Sequence, residues 1–338
     1  MTKEIDKSNL KQIILNSPQQ FLEGVKIAKN IKIKGDFNRV IVCGMGGSAL
    51  GGNILAAYLE KELPILIVRN YELPLQVDKK ALIFISSYSG NTEEPLSVYQ
   101  EARKRKLVIV GFCSGGRLEK LCLKDKVPLV RYKKGIPARY SLGFSFSSMI
   151  AILTNAGLIK NRTKEILDSA EYLKKINLDQ ELRGKELAKK LINKIPLIYA
   201  SERHKALVYN WKIKFNENSK VMAFYNVFPE LNHNELSGFT FWNRNQKLFK
   251  WKELFYILIL KSSDDHSRIL KRINLTTEII RERGGKIIIL SLRGKNFLEK
   301  TFSNILLSDW TSYYLALAYG TDPTPVRIIE ELKRRLKT

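Results

Sequence analysis

Residues 40–52 read Val-Ile-Val-Cys-Gly-Met-Gly-Gly-Ser-Ala-Leu-Gly-Gly, and no other stretch limits the fold so tightly. The β-branched run Val40 to Val42 predicts a strand, and the residues from Leu50 to Leu59 carry a helical period. Only a tight loop separates them. Gly44, Gly46 and Gly47 lack Cβ atoms where backbone amides must approach something closely. Exposed amides at a helix N-terminus, the positive end of its dipole and the Ser48 hydroxyl together make an anion site.

The rest of the chain repeats the strand–helix alternation. Pro64 to Val68, Ala81 to Ser86, Leu107 to Gly111 and Val127 to Arg131 read as strands. Residues 4–30 and the stretch from Ser141 to Ala156 are helical in pattern. Residues 157–194 are polar and rich in lysine and glutamate, a helical bridge with breaks at Gly157 and Gly184. Strands then restart at Pro196 to Ala200, Val221 to Tyr225, Leu254 to Leu260 and Lys286 to Leu290. Helices are expected near 203–216, 266–283, 297–319 and 326–336. Such alternation implies βαβ units and parallel sheets, an α/β fold of two αβα halves. The expected division is 1–156, the bridge 157–194, and 195–338.

The formal charge of +25 and pI near 9.8 raise the question of nucleic acid. Lysine and arginine are scattered through nearly every helical stretch, with no zinc-finger spacing or aromatic RNA-binding signature, so a generally basic surface is the better reading and no nucleic-acid partner is expected. Cys43, Cys113 and Cys122 lack the number and spacing of a disulfide framework or a zinc site. The first residues show no signal-peptide core, and the longest apolar run, Leu254 to Leu260, falls far short of the ~18 residues a membrane helix needs. A cytoplasmic location without membrane contact is expected.

Which anion the glycine loop serves is decided further along. Gly44-x-Gly46-x-x-Ala49 fits a relaxed dinucleotide pattern, which wants an acidic residue closing the second strand to hold a ribose. That strand closes with Val68-Arg69-Asn70, and Glu72 is off position. The third strand instead ends in Ser87-Tyr-Ser-Gly-Asn-Thr92, before a helix opened by Glu93-Glu94-Pro95. Loops at the carboxyl ends of neighbouring parallel strands converge. Gly47 and Ser48 from one, with Ser87, Ser89 and Thr92 from the other, suit a small phosphate. Serine and threonine also cap helices without any ligand; the two loops together with the glycines favour the phosphate.

On these residues the chain resembles the sugar isomerase (SIS) domain, through Gly-Met-Gly-Gly-Ser-Ala-Leu-Gly-Gly at 44–52 and Ser-Tyr-Ser-Gly-Asn-Thr-Glu-Glu at 87–94. Its second half resembles the archaeal-type bifunctional phosphoglucose/phosphomannose isomerases, through Asn216-Glu217-Asn218-Ser219-Lys220 and Pro229-Glu-Leu-Asn-His-Asn-Glu235. The resemblance implies two SIS-type domains, a homodimer with active sites at the interface, and glucose 6-phosphate, mannose 6-phosphate and fructose 6-phosphate as substrates. Moving a proton between C2 and C1 needs one carboxylate acting through a cis-enediolate. Glu217 resembles the family's base, where residue type alone would read a solvated glutamate at a helix end.

Ring opening calls for a group titrating near neutrality, and the chain has only three histidines. His204 sits among Arg203 and Lys205 at a helix start, and His266 follows Asp264-Asp265 at the surface. His233 lies in a polar loop after Pro229 and matches the histidine that the family supplies from the neighbouring subunit. Lys333, in the final helix, matches a lysine that assists ring opening. Arg139, in Pro137-Ala-Arg139 where the family often reads Pro-Arg-Ala, matches a cation that stabilises the enediolate. Thr321 and Thr324 lie where the family places the small residue linked to acceptance of both aldoses. No metal or cofactor is implied. The competing reading is a non-catalytic SIS module that senses sugar phosphates. It would keep Ser48, Ser87, Ser89 and Thr92 but not need Glu217 together with His233.

Overall fold

The computed structural model describes residues 2–242 and 250–336. Two parallel sheets confirm the α/β reading. The first holds β1 (Arg39–Gly44), β2 (Ile65–Val68), β3 (Ala81–Ser86), β4 (Val108–Cys113) and β5 (Leu129–Arg131), in the order β2-β1-β3-β4-β5. The second holds β6 (Ile195–Ser201), β7 (Phe224–Phe228), β8 (Phe255–Lys261) and β9 (Ile287–Ser291), in the order β7-β6-β8-β9. Every pairing in both is parallel. β1 and β3 are buried almost throughout, which is why they read as continuous apolar runs without alternation.

The chain divides into two compact units, Leu15–Lys175 and Ile176–Thr338 with Met1–Ile14. Side chains explain why the first residues join the later half. Asp6 accepts the Tyr313 hydroxyl at 3.2 Å, and Lys11 pairs with Glu181 at 2.6 Å. The helical pattern over 4–30 is realised as three pieces, Thr2–Ile5, Leu10–Leu15 and Gln19–Ala28. Asp6 also accepts the backbone N–H of Leu10 at 2.7 Å and so caps the second piece.

Two expectations are corrected. Gly184 breaks nothing: one helix runs from Thr163 to Leu191. A Cβ at Gly184 would lie 2.5 Å from the Trp310 Cβ, so this glycine serves close helix–helix approach. β7 begins three residues later than Val221, because the helix before it does not stop at a simple cap. Lys205–Lys214 continues into a π-helical turn, Phe215–Ser219, closed by Lys220 in the left-handed region at φ 58°. Asn216 Oδ1 then takes the N–H of Ala223 at 3.0 Å, and residues 220–223 are spent on the reversal.

Each sheet has one switch point, where successive helical connections leave in opposite directions along the sheet. From the strand orders these lie between β1 and β3 and between β6 and β8. Crevices outside the carboxyl ends of such strand pairs are where open α/β sheets bind ligands.

Candidate active site

At the first switch point the structure gathers the expected phosphate residues. Met45 to Ala49 leaves β1 as an extended residue followed by a short 3-10 turn, and the helix Leu50–Tyr58 follows directly. Gly46 has φ +48°, a conformation side chains resist, and a Cβ on Gly44 would lie 2.9 Å from the Ser86 carbonyl oxygen. Gly47 is required for a different reason. Its Cβ would lie 2.5 Å from the backbone nitrogen of Arg139, so the glycine loop and the Ala138–Tyr140 turn touch through their backbones.

Hydrogen bonds fix the hydroxyls of this loop pair. Ser48 Oγ accepts the N–H of Tyr88 at 3.0 Å. Ser87 Oγ accepts the N–H of Thr92 and donates to Thr92 Oγ1 at 3.1 Å. In these bonds Ser48 and Thr92 act only as acceptors, so each keeps its own O–H for a ligand oxygen. Ser89 is exposed and its Oγ accepts the Asn91 N–H at 3.2 Å. Tyr88 ties this loop to the segment leading to Arg139, donating to the Lys133 carbonyl and accepting the Ile136 N–H. Arg139 is 3% exposed, its guanidinium 5.6 Å from the Tyr140 ring centre.

The second switch point has the same architecture and a different filling. Asp265, just beyond β8, accepts the Ser201 hydroxyl at 2.5 Å and the Ser262 N–H at 3.1 Å. The protein's own carboxylate thus takes donors that a ligand anion would otherwise use. His204 belongs to this cluster. It is 3% exposed, stacked on Phe297, with Nε2 3.8 Å from Asp265 and neither ring nitrogen hydrogen-bonded. Burial holds its pKa below the ordinary histidine value, and the Asp265 charge opposes this only in part. His266 caps the helix Ser267–Glu282, its Nδ1 accepting the Arg268 N–H.

Glu217, His233 and Lys333 belong to the other unit and sit on three separate elements. Glu217 is half-buried in the π-helical turn. The turn is clamped from the side by the helix Phe297–Ala318: Asn218 Nδ2 donates to Ser312 Oγ at 2.8 Å, and Ser219 Oγ donates to the Ser312 carbonyl at 2.8 Å. Below it Lys214 pairs with Asp309 at 2.6 Å, both buried. Trp211 Nε1 donates to Asn304 at 2.7 Å, and Asn210 Nδ2 to Ser308 at 2.9 Å. These supports were not singled out from sequence. The available signal was the stripe Asn304, Ser308, Ser312 at four-residue spacing along one helix.

His233 is exposed in the turns after β7, which begin at a cis Phe228–Pro229 bond. Because β6 and β7 are parallel and joined by one helix, Glu217 precedes the amino end of β7 and His233 follows its carboxyl end. The five residues of β7 put roughly 16 Å of strand between them. Lys333 is exposed on Arg327–Arg335, a helix with no buried residue. Thr321 donates its N–H to the Ala316 carbonyl, and Thr324 donates its N–H to Asp322 Oδ1.

Comparison with known proteins decides what this arrangement belongs to. The chain is 36% identical over 336 residues to the bifunctional phosphoglucose/phosphomannose isomerase of Caldicellulosiruptor bescii, covering 96% of this chain and 97% of that one. The chain belongs to the bifunctional phosphoglucose/phosphomannose isomerase family. The enzyme of that name from Aquifex aeolicus is 34% identical, over 89% of this chain and 91% of its own. Residues 180–336 match the bacterial phospho-glucose isomerase C-terminal SIS domain. In fold, the chain superposes on the C-terminal domain of glucosamine-fructose-6-phosphate aminotransferase from Francisella tularensis with a TM-score of 0.69 at 16% identity, covering 93% of this chain and 96% of that one. This is a family of isomerases, and no likeness favours the non-catalytic sensor.

The His204 cluster makes a pH prediction. A histidine kept neutral by the fold but free to protonate when unfolded removes stability as pH falls through about 6.5. Asp264, Asp265, Arg203 and Lys300 are the charged groups around it. Between pH 7.5 and 5 the melting temperature should fall more steeply in the wild type than in His204→Phe. Parallel curves would contradict the assignment.

Proposed function

We propose that this protein interconverts fructose 6-phosphate with glucose 6-phosphate and mannose 6-phosphate. The supporting observation is the glycine–hydroxyl cradle at the first switch point, in a chain that matches isomerases of this name over nearly its full length. Gly47, Ser48, Ser87, Ser89 and Thr92 hold the phosphate, using backbone amides, hydroxyls and the helix dipole. Functionally the phosphate-binding domain is 1–156, the bridge 157–194 and the isomerase domain 195–338.

His233 and Lys333 move a proton between ring oxygen and anomeric hydroxyl to open the sugar. Glu217 takes the proton from C2 of the aldose and returns it to C1, giving the ketose; the reverse reaction runs through the same enediolate. Arg139 faces the negative charge that develops on the intermediate's oxygens. Mannose and glucose 6-phosphates share this enediolate, so forming both requires rotation about C2–C3. Space for that rotation is assigned to the segment holding Thr321 and Thr324.

The protein acts as a homodimer with shared sites. The placement of Glu217 and His233 at opposite ends of β7 supports this, since roughly 16 Å of strand exceeds the reach of one hexose. We place the reaction in the cytoplasm, within glycolysis and gluconeogenesis; among the described residues no helix is long and apolar enough to cross a membrane.

Purified protein supplied with fructose 6-phosphate in the presence of EDTA should form both aldose phosphates. A folded protein giving neither would overturn the proposal, and glucose 6-phosphate alone would remove the second activity. Shared sites are tested by mixing. Unfolding and refolding Glu217→Gln together with His233→Gln should restore about a quarter of wild-type activity, because half the dimers are mixed and each has one intact site. Activity no higher than that of either variant alone would place both residues in one subunit's site.

A further inference from the structure

Glu235 lies two residues after His233, and both of its carboxylate oxygens are engaged. Oε1 accepts the Tyr199 hydroxyl at 2.5 Å, and Oε2 accepts Asn226 Nδ2 at 2.5 Å. Tyr199 on β6 and Asn226 on β7 are registered partners across the two strands. One carboxylate from the histidine loop therefore spans two adjacent strands. Tyr199 is fully buried, and burial together with the Glu235 charge pushes its ionisation well above the ordinary tyrosine value, so it stays a donor.

The loop has matching bonds on its other side. Asn232 Nδ2 donates to Thr276 Oγ1 at 2.8 Å, and the His233 N–H goes to the Glu230 carbonyl at 2.9 Å. Asn234 joins the two glutamates, its Nδ2 donating to Glu230 Oε1 and its Oδ1 accepting the Glu235 N–H. His233 itself stands exposed on this frame. Its ring cannot be placed by packing, so its position depends on how rigidly the loop is tied down. Charge-assisted bonds to two strands are the strongest ties in the loop.

We propose that Glu235 is a positioning residue for His233, its doubly accepting carboxylate fixing where the imidazole meets the substrate. The inference rests on the ring-opening role given to His233. Acid–base groups lose most of their value when displaced by an ångström or so, which sets the expected size of the effect.

Glu235→Gln keeps the acceptor for Tyr199 but turns an amide donor against the Asn226 amide donor. It should lower kcat about ten- to a hundredfold with KM within about twofold. In a His233→Gln background the same change should cost less than about twofold, because the group it positions is gone. The exchange Asn226→Asp with Glu235→Gln restores one donor facing one acceptor, and the new carboxylate keeps an oxygen for the Val227 N–H that Asn226 now accepts. That double variant should recover most of kcat. Equal losses in both backgrounds, wild-type kcat in Glu235→Gln, or a folded double variant without recovery would each overturn the proposal. Wild-type turnover by His233→Gln would overturn it differently, by removing the role of His233 itself.

Discussion

The placement of Glu217 depends on a buried polar seam between two helices. Asn210, Trp211, Lys214, Asn218 and Ser219 meet Asn304, Ser308, Asp309 and Ser312 along one face of Phe297–Ala318. An apolar seam would have held the helices together as well, but with less control over register. Each polar bond is satisfied at one axial position only, and a slip by one turn leaves a buried charge unpaired at a cost of about 3–5 kcal/mol. The seam lets the helix end in a π turn, a rare conformation found frequently at functional sites, closed by a left-handed residue. The carboxylate of that turn is the one assigned the proton transfer.

The two sheets carry the same kind of crevice and use it differently. At the first, glycines withdraw, and Ser48 and Thr92 use their hydroxyl oxygens as acceptors. At the second, Asp265 takes the Ser201 hydroxyl and the Ser262 amide. The first crevice is the one proposed to take an anion from outside, and the second has one built in. Released from ligand binding at that crevice, the second half carries the proposed acid–base residues on its periphery, around β7 and in the final helix.

Much of this is legible in the letters. The strands of the first half and the phosphate loops follow from β-branched runs ending in glycine or serine, because buried parallel strands need no alternation to betray them. The role of Gly184 is not legible, since a helix-breaking glycine and a helix-packing glycine look alike until Trp310 is seen against it. The start of β7 escapes the sequence because a π turn has no composition of its own. The helix-start position of His204 does not reveal that it turns inward onto Phe297 while Arg203 and Lys205 stay outside. The roles of Glu217, His233, Lys333 and Arg139 come from resemblance; residue types alone leave each with an ordinary structural explanation.

The central claim is that Glu217 carries the proton between C1 and C2. Its most direct test is exchange with solvent: fructose 6-phosphate incubated with enzyme in D2O, with deuterium at C1 and in the aldose C2 position followed by NMR. The wild type should incorporate deuterium at both, and Glu217→Gln, folded and still binding sugar phosphate, should incorporate none above the uncatalysed level. Exchange by Glu217→Gln at near the wild-type rate would show that another group is the base, and that the polar seam positions something else.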